Sequence, residues 1–154
     1  MKYFFQTSAT MKEYNNKKWW IDSIGLDKVW DLNLNSKTVD VAVFDTGVDF
    51  SHPDLVGKQS SIPGKTYFDG YPEDEDMDGH GTGVASVICG SQNNGGMVGV
   101  FDNVKIVSYR MSLSNDYPSE TILLKLLDGL QDASNKGIKI INFSGGGNSG
   151  TNDK

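Results

Sequence analysis

The chain is poor in the residues that usually betray a cofactor, a disulfide framework or a membrane. It holds one cysteine, Cys89, in 154 residues, so no intramolecular disulfide can form. Val87 and Ile88 precede that cysteine, which reads as a small buried hydrophobe; a reactive thiol needs an electropositive, partly exposed setting. No apolar run is long enough to cross a bilayer. The opening residues Met1 to Thr7 carry one lysine and a short apolar burst, less than a signal peptide requires. Positive charge is also scarce: 14 Lys and Arg against 20 Asp and Glu give a net charge of -6. A nucleic-acid or anionic-membrane partner needs a basic face, so both are excluded as expectations. The acidity itself reads mainly as solubility, with metal-binding carboxylates as the lesser reading. No G-x-G-x-x-G follows the first strand, which rejects a dinucleotide-binding domain, and no internal repeat is visible.

What is present suits one domain of ordinary size, since 37% of the residues are hydrophobic. Residues 1–18 are polar and lack periodicity, and are expected to form an arm. The globular part begins at Trp19, and the spacing of Ile24, Val29 and Trp30 predicts at best one short helix. Val39 to Phe44 is a β-branched apolar run, expected as a buried parallel strand. Residues 59–79 form a long loop rich in Gly, Pro and Asp, with a short strand near Thr66 to Phe68. Gly81 to Gly90 reads as a helix of small residues, and Val104 to Tyr109 as a second strand. A helix from Ser119 to about Lys136 stops at Gly137, with Ile122, Leu123, Leu126, Leu127, Leu130 and Ala133 as its apolar face. Ile138 to Phe143 is a third strand. Strands alternating with helices imply α/β architecture: a parallel sheet with helices on both faces, three layers in all. Functional groups in such sheets gather beyond the carboxyl ends of the strands, where Asp45 and Ser144 both fall.

The chain has only two histidines. His52 sits beside Pro53 in a turn. His80 lies between Gly79 and Gly81 at the start of a helix, free to face a cleft. A histidine acting as a general base needs its tautomer fixed, and a buried carboxylate such as Asp45 does that. A lone Asp–His pair is also compatible with a purely structural ion pair.

The wider motifs narrow the choice. Val41-Ala42-Val43-Phe44-Asp45-Thr46-Gly47-Val48, followed by Ser51-His52-Pro53-Asp54-Leu55, resembles the aspartate motif of the subtilisin-like serine proteases. Asp78-Gly79-His80-Gly81-Thr82-Gly83-Val84-Ala85 resembles their histidine motif, and Ile140 to Gly147 resembles the strand bordering their substrate cleft. Three motifs occur in the family's order across about residues 19–150. Lys105 to Arg110 is most similar to the peptidases that trim lantibiotic leaders. Gly83 stands where the family usually has a second histidine, a position outside the triad.

The resemblance implies a subtilisin-like fold and a serine endopeptidase in which Asp45 and His80 are catalytic and the substrate is a peptide or protein. It implies that Ser144, Gly145 and Gly146 line the pocket for the side chain preceding the cut bond, because an edge strand pairs main chain to main chain with an extended peptide. The loop Ser114 to Pro118 would form the other side of that clamp. It implies a structural calcium ion held by Asp54 and Asn93, with carbonyls of residues 91–97; Lys18 precedes Trp19 where the family commonly has a glutamine ligand. Asp74 to Gly79 imitates the start of an EF-hand loop, but Ala85 occupies the position of the bidentate glutamate, so an EF-hand is rejected and that acidic run is expected to be a solvated loop. An extracellular or cell-surface setting is favoured by the family alone.

The family's oxyanion asparagine and its Gly-Thr-Ser-Met-Ala nucleophile motif have no counterpart in these 154 residues. Ser144 lacks the preceding glycine of a strand-to-helix elbow, and the glycines after it cannot open a helix. Gly150, Thr151 and Asn152 are similar to the serine motif except that asparagine takes the serine's place. Residues 19–154 are therefore expected to be the N-terminal part of a truncated peptidase domain, inactive alone and lacking its C-terminal half. The alternative is a non-enzyme that at most binds peptides.

Overall fold

The computed structural model describes residues 19–32, 37–67, 70–91, 97–111 and 119–145. The expected arm over residues 1–18 lies outside them. Two short helices open the described chain, α1 (Trp19–Ile24) and α2 (Leu26–Asp31). The one short helix expected over Ile24 to Trp30 is α2, and α1 is a further helix before it, separated from α2 by Gly25 at φ 65°. Ile21, Leu26 and Val98 form a small core with Trp20, Val29, Trp30 and Val100 around it. The Trp30 indole closes this corner by donating from Nε1 to the Val100 carbonyl at 2.7 Å.

Four parallel strands follow: β1 (Val39–Asp45), β2 (Lys65–Thr66), β3 (Val104–Arg110) and β4 (Ile140–Phe143), in the spatial order β2-β3-β1-β4. The short strand thus falls slightly before the expected Thr66 to Phe68, and Phe68 lies outside the described residues. The last strand begins at Ile140 rather than Ile138. Gly137 stops the preceding helix at φ 77°, and the Ile138 amide still bonds the Ala133 carbonyl at 3.0 Å.

Alternation along β1 builds the two faces of the sheet. Val41 and Val43 pack with Val48, Leu55, Ile106, Ala85 and Cys89 under α3 (His80–Cys89). Ala42 and Phe44 point the other way and pack with Val107, Tyr109, Met111, Ala133 and Ile138 under α4 (Ser119–Asn135). This is the expected α/β, three-layer arrangement, helix on sheet on helix. The Phe44 and Tyr109 rings stack with centroids 4.4 Å apart. Two parallel anchors pin α4: Tyr109 Oη donates to Asp132 Oδ2 at 2.7 Å, and Tyr67 Oη to Asp128 Oδ2 at 2.8 Å. Lys136 and Lys65 meet the same carboxylate oxygens, each at 2.6 Å.

The apolar face expected of α4 is only partly used. Leu126, Leu130 and Ala133 pack inward, whereas Leu123, Leu124 and Leu127 are more than half exposed. β4 is exposed too: Ile140 at 50%, Ile141 at 40% and Phe143 at 41%. No helix among the described residues is long and apolar enough to cross a membrane.

Strand order locates the site. From β1 the chain runs out to β2 at the sheet edge and back through α3 to β3, all on one side of β1, then crosses through α4 to β4 on its other side. The direction of winding reverses at β1. The reversal opens a crevice beyond that strand's carboxyl end, and Asp45 is the residue there.

Candidate active site

Asp45 is the last residue of β1 and has no exposed surface. A buried carboxylate must be hydrogen-bonded or neutralised. Its Oδ1 accepts the Thr46 amide at 2.8 Å and faces His80 Nδ1 at 2.7 Å. Among the described residues Oδ2 has no hydrogen-bond partner. His80 is the first residue of α3, and its side chain is 49% exposed. With Nδ1 donating to Asp45, the neutral ring keeps its proton on that nitrogen and leaves Nε2 with a free lone pair. The hydrogen bond that His80 donates to Asp45 raises the His80 pKa above its ordinary value, and the carboxylate's charge adds to this. Slight burial opposes the rise, and the charges of Asp78 and Asp76 reinforce it.

Two glycines make this approach possible. A Cβ on Gly81 would lie 2.0 Å from the Gly47 carbonyl oxygen and 3.0 Å from Asp45 Cβ. Gly47 itself sits at φ 115°, where a Cβ would lie 2.0 Å from the Glu75 carbonyl oxygen. Helix start, strand end and acidic loop therefore meet with no room for side chains between them.

The acidic loop is solvent-exposed at Asp74, Glu75, Met77 and Asp78, as expected from its charge, but Asp76 within it is half-buried and fully engaged. Asp76 Oδ1 accepts from Thr46 Oγ1 at 2.8 Å, the Gly79 amide at 2.9 Å and the Asp78 amide at 3.2 Å. Its Oδ2 accepts from the Thr82 amide at 2.8 Å and Thr82 Oγ1 at 2.6 Å. Partial burial pushes this carboxyl up. The bonds from Thr82, Gly79 and Thr46 outweigh that and hold it below the usual carboxylate range. Asp76 lies four residues before His80 with Thr82 two residues after it. That is the pattern of a carboxylate reaching over a helix N-terminus, the one signal in the sequence that could have disclosed it.

The other expected site residues are distributed as follows. Ser144 and Gly145 directly follow β4, and the pairing of Phe44 with Phe143 sets Ser144 level with Asp45. Ser144 is exposed, and its Oγ accepts from Asn142 Nδ2 at 2.8 Å. No hydrogen bond among the described residues joins it to His80. Gly145 packs against the Phe143 ring. Gly146 and the loop Ser114 to Pro118 lie outside the described residues.

Asp54 is buried, with 3% exposure. Its carbonyl accepts the Ser91 amide at 2.8 Å and its Oδ2 the Met97 amide at 2.9 Å. One residue therefore ties down both flanks of the 92–96 loop, which contains Asn93. That loop, Asn93 included, lies outside the described residues. No group of three or more His, Cys, Asp or Glu side chains is gathered for a metal among the described residues. A hard cation can also be held by one carboxylate, an amide and carbonyl oxygens, and the Asp54 corner is compatible with such a set. Cys89 is fully buried, and burial pushes its thiol up to about 11, as suits a packing residue.

Comparison with known proteins agrees with this arrangement. Residues 36–154 match the model of the subtilase family. The chain is 34% identical over 119 residues to a thermophilic serine proteinase of Bacillus sp. (strain AK1), covering 77% of this chain and 28% of that protein. It is 35% identical over 133 residues to subtilisin DY of Bacillus licheniformis, covering 85% of this chain and 45% of that protein. The solved structure of the MycP3 protease from the type VII (ESX-3) secretion system superposes with a TM-score of 0.64 at 26% identity. That match covers 79% of this chain and 35% of the other. The chain thus spans less than half the length of these relatives. A parallel sheet that reverses at β1, an Asp–His pair at that reversal and a family match over most of the sequence agree: the chain belongs to the subtilase family.

Proposed function

We propose that this chain carries the aspartate and histidine of a serine endopeptidase active site. One observation supports the reading above all others: a fully buried Asp45 bonded at 2.7 Å to Nδ1 of a half-exposed His80. Asp45 fixes the tautomer and aim of the ring and stabilises the imidazolium that forms, and Nε2 is the general base toward a serine hydroxyl. A peptide substrate would lie along Ser144, Gly145 and Gly146, held by main-chain hydrogen bonds. The sequence contains no Gly-Thr-Ser-Met-Ala motif, so on this reading residues 19–154 are part of a peptidase domain, and peptide hydrolysis needs a serine and an oxyanion donor that these 154 residues do not supply.

Calcium belongs to the same proposal. Asp54, with Asn93 and carbonyls of the 91–97 loop, would hold the ion, whose chemistry is structural: it neutralises the buried carboxylate and locks the loop. Asp54 bonding both loop flanks supports this assignment.

The test is an irreversible fluorophosphonate probe that labels only activated serines. The isolated 154-residue chain should remain unlabelled and should not cleave casein. Adding the serine-bearing remainder of a subtilase domain in trans or by fusion should restore labelling, and His80→Ala should abolish it again. Labelling of Ser144 in the isolated chain would overturn the reading. So would a reconstituted domain whose activity survives His80→Ala. The alternative, a peptide-binding module without cleavage, predicts that the fused domain stays inert.

A further inference from the structure

We propose that Asp76 is a positioning residue for the Asp45–His80 pair, holding the end of β1 against the start of α3 so that His80 Nδ1 stays on Asp45 Oδ1. The proposal rests on the functional reading above and adds a residue to it. Asp76 does not touch His80 and has no direct part in proton transfer. It works through the two segments that carry the pair. Thr46, next to Asp45, donates its hydroxyl to Asp76 Oδ1 at 2.8 Å, and that same hydroxyl accepts the Gly81 amide at 3.0 Å. Thr82, two residues past His80, gives both its amide and its hydroxyl to Asp76 Oδ2, and its hydroxyl accepts the Asp49 amide at 3.0 Å. Gly79, just before His80, donates its amide to Oδ1. Thr46 beside Asp45, and Gly79 and Thr82 before and after His80, thus converge on one carboxylate, and with the Asp78 amide five donors reach its two oxygens.

The chemistry calls for an ionised acid at this place. Each bond to Asp76 is donated by an N–H or an O–H, so an acceptor-only group with two oxygens is required. The α3 N-terminus adds its positive end and three amides without helical partners, which favour a negative charge. Asparagine is nearly isosteric but replaces one acceptor with an NH2 donor. Whichever way it turns, that donor faces either Thr46 and Gly79 or Thr82. The hold on one side of the pair is then lost, and the Asp45–His80 bond is free to lengthen. A few tenths of an ångström there matter, because a general base must meet its partners within hydrogen-bond range. The charged groups that face His80 are Asp45, Asp76 and Asp78.

The experiment is a 15N NMR titration of the His80 ring nitrogens in the 154-residue chain, which reads both protonation constant and tautomer. Wild type should show the Nδ1–H tautomer at high pH. In Asp76→Asn the His80 protonation constant should fall by about three- to tenfold, and the tautomer signal should become mixed. Thr46→Val, which keeps the Asp76 charge and removes only the hydroxyl bridge, should shift the tautomer in the same direction. It decides the matter if Asp76→Asn fails to fold. An unchanged His80 titration and tautomer in a folded Asp76→Asn, or in Thr46→Val, would overturn the proposal, even if the melting point fell. Asp45→Asn separates the two ideas. If it leaves His80 unchanged, the Asp45–His80 reading itself fails. If it disrupts His80 while Asp76→Asn and Thr46→Val do not, only the positioning role fails.

Discussion

At the scale of single residues, the site is an exercise in closing distance. His80 gains a hydrogen-bonded carboxylate in the folded state, so its folded pKa lies above its ordinary value of 6.5. A group raised in this way contributes stability that is complete below its unfolded pKa and is lost as pH rises through the folded one. Denaturant midpoints measured between about pH 5 and 9 should therefore fall through that upper window in wild type. The profile of His80→Asn should lack that fall, and identical profiles would count against the pair. Gly81 offers the complementary test. A methyl group there meets the Gly47 carbonyl at 2.0 Å, backbone against backbone, with no flexible side chain to yield. Gly81→Ala should destabilise the chain by roughly 1–3 kcal/mol, read from urea unfolding, and should drive His80 toward its ordinary titration. The sequence shows Asp45, His80 and the flanking glycines because each lies inside a contiguous motif, Val41 to Leu55 and Asp78 to Ala85, that resembles those of the family. It does not show Asp76 as a participant. Acidic residues in a loop look alike until the Thr46 and Thr82 hydroxyls are seen to converge on one of them.

At the scale of elements, burial separates what holds the fold from what merely decorates it. Phe44 is fully buried and stacked on Tyr109. Phe44→Ala should cost about 3–5 kcal/mol. Leu124 is 68% exposed, and Leu124→Lys should change stability by no more than about 0.5 kcal/mol. Comparable losses from the two substitutions, in chemical denaturation, would mean that α4 packs by a different face. Strand and helix identities follow from the sequence because β-branched runs and a 3.6-residue apolar period are local signals. The division of α1 from α2 depends on Gly25 taking a left-handed conformation. The retreat of β4 to Ile140 depends on where α4 unwinds. A continuous apolar stripe on α4 also overstates its burial, because Leu123 and Leu127 face outward from the sheet that Leu126 and Leu130 cover.

At the scale of the whole molecule, β4 pairs only with β1 among the described strands and exposes Ile140, Ile141 and Phe143. An apolar strand with an open edge is a template for another chain. Sedimentation velocity on the 154-residue chain should show mass rising with concentration, and Ile140→Lys should reduce that rise. A strictly monomeric wild type at high concentration would argue that this edge is protected. Calcium acts at the same scale. A ligand bound only to the folded state adds about 2.7 kcal/mol at a hundredfold excess over its Kd, several degrees in melting temperature for a chain of this size. Calcium should raise the Tm of wild type and leave Asp54→Ala unmoved. An equal response in both, or none in either, would remove Asp54 as a ligand.

The sequence by itself determined the fold class, the family and the Asp45–His80 pair. Each rests on contiguous motifs, and apolar alternation, glycine placement and short-range order are all written in neighbouring residues. Tertiary structure alone decided that Asp76 binds both sides of that pair and that Asp54 spans both ends of the 92–96 loop. It also decided that the outer half of α4 stays uncovered. Those facts depend on groups up to 43 positions apart, as with Asp54 and Met97. Only a folded sheet brings such groups within hydrogen-bond reach, and a local pattern contains no measure of that distance.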